Sequence, residues 1–79
     1  MAMKNIKKYN GALKLYWHIS YGQKGYRSLI EVSGVMAYVS VRANDVYDIP
    51  SLEGTFVTAL IGEHCGKLTL HHIEGHGHV

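Results

Sequence analysis

The stretch YRSLIEVSGVMAYVSV, residues 26–41, decides the predicted fold of this chain. Apolar and polar residues alternate on both sides of Ser33-Gly34, which is the pattern of two half-buried β-strands. A Ser-Gly pair between two valines is typical of a two-residue hairpin turn. The stretch therefore predicts a β-hairpin in which Ile30 faces Ala37 on the buried side, because any one-residue slip would expose the apolar set.

A third strand is predicted before this hairpin. Residues 13–21 alternate in the same way, and Gly22-Gln23-Lys24-Gly25 is a four-residue turn signal with glycine at each end. With that loop, Trp17 faces Ile30, so Trp17 points to the core and His18 points to the opposite, outer face. The first half of the chain is thus predicted to form a three-stranded antiparallel meander.

The second half of the chain is compatible with a helix or a strand. Asp48-Ile49-Pro50-Ser51 is typical of a helix start, and a helix from there to Gly66 would bury a stripe of Ile49, Leu52, Phe56 and Leu60. Gly54 and Gly62 count against that helix, since each costs about 1 kcal/mol in a helix interior. Residues 55–61 also fit a strand followed by a hairpin loop. We expect the helix.

Residues 67–73 predict one further strand, with Leu68 and Leu70 pointing inward. The predicted fold class is therefore α+β, with the order β-β-β-α-β and the helix packed on the inner face of the meander. The alternative is a small five-stranded all-β barrel.

Length and composition support a single globular domain. Seventy-nine residues are enough for one hydrophobic core. We divide the chain into a basic N-terminal segment (1–11), a core region (12–73) and a His/Gly-rich tail (74–79). Hydrophobic residues make up 47% of the chain, and its net charge of +2 is too small to indicate nucleic-acid binding by itself. A single cysteine and the lack of a signal peptide or of an apolar run of about 18 residues favour a cytoplasmic location.

One helix covers only one face of the predicted meander, so the outer face is left for a partner. Its candidate partner-binding residues are aromatic, aliphatic and basic: Tyr16, His18, Arg27, Leu29, Met36, Tyr38 and Arg42. Soluble monomers rarely expose such a patch, and aromatic residues with arginine are typical of protein interfaces. We therefore expect a non-catalytic binding protein, of accessory or inhibitor type, that docks a partner protein or forms a homodimer.

Two other occupants of the outer face stay open. The chain's own N-terminal segment or C-terminal tail is one candidate. Single-stranded nucleic acid is the other, with bases stacked on Tyr16 and Tyr38 and phosphates held by a basic rim of Lys14, Arg27 and Arg42. Glu31 argues against nucleic acid, because a carboxylate at the centre of the face repels phosphate.

The histidines near the C-terminus form a candidate metal site. His72, Glu74, His76 and His78 share one side of an extended strand, and imidazole and carboxylate groups bind zinc or nickel well. The spacing matches no established zinc motif, and histidine-rich termini also capture metal without a biological role. We expect the protein to have no cofactor, apart from zinc or nickel if this cluster binds a metal.

No group of residues indicates catalysis. His64-Cys65 is the one adjacent pair of base and nucleophile, but a thiol at the C-terminus of the predicted helix has its pKa raised by the helix dipole. The acidic residues show no spacing suited to general acid and base chemistry, and no phosphate-binding glycine loop is present. We therefore expect that the protein is not an enzyme.

Overall fold

The structure, a computed structural model, describes residues 4–41 and 48–77. In this part of the chain six strands form one mixed sheet: β1 (Lys4–Ala12), β2 (Lys14–Ser20), β3 (Tyr26–Val32), β4 (Val35–Val41), β5 (Phe56–His64) and β6 (Lys67–Gly77). A 3-10 turn spans Gly22–Lys24, and a short helix, α1, spans Ile49–Leu52. The β-β-β-α-β prediction is wrong, and the all-β alternative fits better. No helix within the described residues is long and apolar enough to span a membrane.

The strand order explains how the sheet curls. The order is β1-β5-β6-β4-β3-β2, and every neighbouring pair is antiparallel except β4 and β6, which are parallel. The two strands at its ends, β1 and β2, follow each other in the chain and are separated only by Leu13. One bent segment therefore pairs with β5 through its first half and with β3 through its second half, which rolls the sheet into a small barrel.

Two backbone contacts hold this bend in place. At the bend, the Leu13 amide donates to the Thr55 carbonyl at 2.9 Å, and the Leu13 carbonyl accepts from the Gly54 amide at 2.8 Å. Next to it, Gly11 approaches the β3–β4 turn so closely that a Cβ atom on Gly11 would lie 3.0 Å from the Ser33 nitrogen. A side chain at position 11 would therefore crowd the backbone of Ser33.

The barrel interior holds the core. Its buried apolar residues come from β3, β4, β5 and β6, from α1 and from Leu13 between β1 and β2: Leu13, Ile30, Val32, Ala37, Val39, Ile49, Val57, Ala59, Ile61, Leu70 and Ile73. Burying one aliphatic side chain of this size stabilises the fold by about 1.5–3 kcal/mol. The interior is therefore the main source of stability, and the outward residues are left for other roles.

The expected helix is a single turn because the chain turns away after it. Pro50 lies in the first turn of α1 as predicted, but Gly54 has φ +81° and the chain is extended from Phe56 onward. In β5 the inward residues are Val57, Ala59 and Ile61, whereas Phe56 is 52% exposed. The period-two pattern of residues 55–61 thus prevails over the helical stripe, since β5 pairs with β1 on one side and β6 on the other.

The hairpin at the centre of the sequence is confirmed. Ile30 pairs with Ala37 and Val32 pairs with Val35, in the predicted register. Ser33 and Gly34 have φ values of +54° and +79°, the left-handed conformation that a two-residue hairpin turn requires at both positions.

The predicted register of the first hairpin is wrong. The loop runs from 21 to 25, because Ser20 rather than Tyr21 pairs with Tyr26. Trp17 consequently pairs with Leu29 rather than with Ile30, and it lies on the outer face. A register shift between Leu15 and Trp17 then returns Leu15 to the inner side, opposite Ile30. One extra loop residue and one β-bulge therefore reverse the faces of residues 17–20 only.

The final strand is confirmed in position and is longer than expected. β6 continues to Gly77, and Leu70 is buried as predicted. Leu68 is 42% exposed, so the prediction that it points to the core is wrong. Leu68 pairs with the exposed Glu63 near the end of the β5–β6 hairpin. At the end of a hairpin, an inward position in the alternating pattern need not be buried.

Candidate functional site

One row of side chains crosses four strands on the outside of the barrel. Trp17 pairs with Leu29, Leu29 with Tyr38, and Tyr38 with Thr69, so β2, β3, β4 and β6 each contribute one residue. Trp17 and Tyr38 are 37% and 40% exposed, and their ring centroids lie 6.5 Å apart with the ring planes tilted by 56°. We call this set the aromatic row, and the outward side of β2, β3, β4 and the start of β6 the outer face.

Cations lie over two rings of the outer face. The Lys67 ammonium nitrogen is 5.5 Å from the centre of the Tyr38 ring, and the Lys14 ammonium nitrogen is 5.0 Å from the centre of the Tyr16 ring. Both distances are within the range of a cation–π interaction. The face therefore presents positive charge directly beside aromatic surface.

A hydrogen bond ties the bulged residue Tyr16 to Glu31. The Tyr16 hydroxyl donates to Glu31 Oε1, and Glu31 lies opposite Lys14 and Met36 on the neighbouring strands. This hydrogen bond is the main cause that raises the pKa of Tyr16 above its usual value of 10.0; the Glu31 charge adds to the effect and Lys14 opposes it. The neutral phenol is thus retained as a donor that orients the carboxylate.

Aliphatic side chains continue the outer face on both sides of the aromatic row. Ile19, which pairs with Arg27 on β3, is 48% exposed, and Met36 on the other side is 43% exposed. Arg27 itself is exposed and pairs with Ser40 on β4. The centre of the outer face is therefore apolar and aromatic, with cationic groups at its border.

The structure brings together most of the residues proposed from the sequence. Tyr16, Leu29, Met36, Tyr38 and Arg27 share the outer face, and Arg42 lies outside the described residues.

His18 is a correction to the proposed set. It points inward, where its Nδ1 atom shares a 2.7 Å hydrogen bond with the fully buried Ser28 hydroxyl and its ring lies 5.1 Å from the Tyr26 ring. His18 and Trp17 have exchanged faces because of the register shift in the first hairpin.

Sequence patterns missed three residues of the outer face: Trp17, Ile19 and Lys67. For Trp17 and Ile19 the local pattern contains no signal, since a loop of either length is compatible with the same glycines. Lys67 reaches Tyr38 only because β6 lies parallel to β4, and that pairing joins distant parts of the chain.

The proposed metal ligands are not assembled in the part of the chain that is described. His72 and Glu74 are both exposed on β6, and Glu74 forms a 3.1 Å salt bridge with Lys8 on β1. The side chains of His76 and His78 lie outside the described set. Within residues 4–41 and 48–77, no three His, Cys, Asp or Glu residues are grouped closely enough to hold a metal ion. Zinc or nickel binding stays a prediction.

The geometry defines a small all-β barrel with one aromatic outer face. No known protein family matches the sequence, and no curated protein or solved structure is significantly similar to the chain. In its connectivity, one bent first segment forms both ends of the sheet, and β4 and β6 form a parallel pair.

Proposed function

We propose that the protein binds single-stranded nucleic acid on the outer face. The observation that carries this proposal is the aromatic row, in which Trp17 and Tyr38 expose rings side by side with Lys67 over one of them. Proteins that bind unpaired strands combine aromatic rings, on which bases stack, with cations that track the backbone. Each stacked base contributes about 1–3 kcal/mol to such binding.

The distribution of charge on the outer face supports an unpaired strand. The whole chain carries a net charge of only +2, but Lys14, Arg27 and Lys67 all border the apolar centre. This arrangement suits a ligand with apolar bases and a charged backbone, because the bases cover the rings while the phosphates reach the border. An intact duplex offers no exposed base faces and does not use the rings.

The connectivity adds an argument by analogy, because it resembles that of OB-fold barrels. When residues 4–20 are counted as one bent strand, β3 and β4 are the second and third strands of the barrel. OB-fold barrels bind oligonucleotides and oligosaccharides on the face of these two strands. The analogy concerns connectivity alone and assigns no role to any residue.

Intrinsic fluorescence provides a direct test. Trp17 is the only tryptophan in the chain, so a base that stacks on it is expected to quench the emission of the whole protein. We expect twelve-nucleotide oligothymidine and oligouridine to quench this emission, with an affinity that falls steeply as salt rises, because cation–phosphate contacts release counterions. An unchanged emission, together with unchanged anisotropy of labelled oligonucleotides, would rule the proposal out.

Matched variants locate the binding site. Replacing Tyr38 with leucine is expected to weaken oligonucleotide binding about tenfold, the value of one stacked base. Phe56→Leu is the control, because Phe56 is also exposed but lies on β5, separated from β4 by β6. Equal effects of the two changes would mean that the oligonucleotide does not use the aromatic row.

A second candidate function is docking of a partner protein or a second copy of the chain. The observation that favours it is the exposure of Ile19 and Met36, since aliphatic side chains add more to a protein interface than to base stacking. Light scattering tests self-association: a dimer that dissociates in the Met36→Ser variant supports this candidate, and an 8.8 kDa particle at all concentrations removes the homodimer.

A cytoplasmic location is part of the proposal. Cys65 is exposed and unpaired in the β5–β6 turn, and an exposed thiol stays reduced in that compartment.

A further inference from the structure

Glu31 is the one group named on the outer face that opposes the proposed ligand, because a carboxylate repels phosphates. We infer that Glu31, oriented by Tyr16, binds the Watson–Crick edge of an unpaired guanine, so that the protein prefers single strands that contain guanine. This inference rests on the proposed function and names the base that the site selects.

The surroundings of Glu31 leave its carboxylate available to a ligand. Glu31 is half-buried on β3, its Oε1 atom accepts from the Tyr16 hydroxyl, and it forms no salt bridge among the described residues. The nearest cation in register, Lys14, lies over the Tyr16 ring instead. An ionised carboxylate has about four acceptor sites, so one hydrogen bond from Tyr16 leaves the others for donors of a base.

The position of Glu31 relative to the aromatic row suits a base edge. Leu29 belongs to the row, and Glu31 is two residues further along the same face of β3, which corresponds to about 7 Å. This spacing puts the carboxylate within reach of the edge of a base that is stacked beside the row. A phosphate is kept away from the same point by charge repulsion and is directed to the cationic border.

The donor pattern of the bases selects guanine. The guanine Watson–Crick edge carries two adjacent donors, N1–H and the N2 amino group, which match the two oxygens of a carboxylate. Adenine and cytosine place an acceptor nitrogen beside their amino group, and thymine or uracil has a single N–H between two carbonyls. Because an ionised carboxylate only accepts hydrogen bonds, only guanine satisfies it with two donors and no opposed acceptor.

The test compares oligothymidine strands that differ in one central nucleotide. We expect a central guanosine to raise the affinity about tenfold over thymidine, as for other bidentate base contacts. The quenching of Trp17 emission measures this affinity. Inosine, which keeps N1–H and lacks the N2 amino group, is expected to lose most of this gain. The same comparison in oligouridine shows whether the preference is shared by DNA and RNA.

Variants assign the preference to the carboxylate. Glu31→Gln is expected to abolish the guanosine preference while binding of plain oligothymidine stays equal or becomes tighter, since a repulsive charge is removed. Tyr16→Phe keeps the ring and is expected to reduce the preference. Glu63→Gln is the control, because Glu63 also accepts a side-chain hydrogen bond, from Asn5, but lies on β5, three strands from β3 in the sheet.

The outcomes separate this inference from the proposed function. Binding without a base preference, or a guanosine preference that survives Glu31→Gln, overturns the inference and leaves the proposed function standing. A complete lack of oligonucleotide binding overturns both. A preference lost in Glu31→Gln and kept in Glu63→Gln supports both.

Discussion

Trp17 on β2 and Tyr38 on β4 meet across the strand between them, with their ring centroids 6.5 Å apart and Leu29 of β3 paired with both residues. The contact exists because the first hairpin loop runs from 21 to 25 and turns Trp17 outward. A tryptophan that an alternating pattern places in the core is thereby part of an exposed aromatic row. The face that it joins is the one that we propose to bind a ligand.

Removing the Tyr38 ring should separate binding from stability. Tyr38→Ala is expected to lower the free energy of unfolding by under about 1 kcal/mol, because Tyr38 is 40% exposed and its ring lies outside the barrel. Affinity for oligothymidine should fall at least tenfold. Denaturant unfolding and fluorescence titration measure the two effects, and a large loss of stability would show that the ring acts as a structural residue.

Two isoleucines provide a matched test of which side of the sheet is the core. Ile30 is fully buried and Ile19 is 48% exposed, one on the inner side and one on the outer face. Ile30→Ala is expected to reduce the free energy of unfolding by about 2–5 kcal/mol, and Ile19→Ala by less than about 1 kcal/mol. Urea unfolding curves with equal slopes give the comparison directly. Similar losses for both variants would contradict the register of β2.

A pair of glycines tests the bend between β1 and β2. In Gly11→Ala the new methyl group meets the Ser33 backbone at 3.0 Å, so we expect a loss of about 1–3 kcal/mol. Gly75→Ala on β6 meets nothing within 4 Å and should change stability by no more than about 0.5 kcal/mol. Thermal unfolding of both variants measures the difference, and an unaffected Gly11→Ala would mean that the barrel is more open at this point.

The inward pair of His18 and Ser28 predicts non-additive mutations. His18→Leu removes the partner of a fully buried hydroxyl and is expected to cost about 1–3 kcal/mol. Ser28→Ala added to that variant removes the hydroxyl that has lost its hydrogen-bond partner, so part of the lost unfolding free energy should be recovered. A double-mutant cycle of unfolding free energies measures the coupling. Strict additivity would indicate that the two side chains do not interact.

The Tyr16–Glu31 hydrogen bond predicts that the Tyr16 phenol ionises at a higher pH than an ordinary tyrosine. The pKa of Tyr16 is raised because Glu31 accepts from the neutral phenol, so the stabilisation is complete below about pH 10 and is lost as the pH rises through the raised pKa. Ultraviolet absorbance titrations of the wild type and Tyr16→Phe give the ionisation of Tyr16 as their difference. In a Glu31→Gln background this difference should move to lower pH. An unchanged midpoint would show that Glu31 does not act on Tyr16.

The central hairpin could be predicted because its determinants are local. Alternation on both sides of Ser33-Gly34 and the left-handed conformation that this pair adopts together set one register. The start of α1 was likewise evident from Asp48 and Pro50. Its length was not evident, since residues 55–61 satisfy a helical and a strand pattern equally, and pairing of β5 with β1 and β6 settles the choice.

The candidate site was predictable only in part, for the same reason. Leu29, Met36 and Tyr38 lie on the two strands whose register local signals define, and they share the outer face. Trp17 and His18 lie where one additional loop residue reverses the faces, and the same glycines allow both loop lengths. A single residue in a loop is energetically minor, so the choice depends on how the whole barrel packs.

The amino-acid sequence by itself determined the hairpin of β3 and β4, the inward residues of these strands and the turn that joins them, because neighbouring residues supply all of those preferences. The tertiary structure alone decided that Leu13 bends one segment between two strand partners, that β6 lies beside β4, and that Trp17 faces outward. These features depend on contacts between residues far apart in the chain, such as Gly11 with Ser33 and Leu13 with Thr55. The free energy of such contacts cannot be estimated from the pattern of neighbouring residues in the sequence.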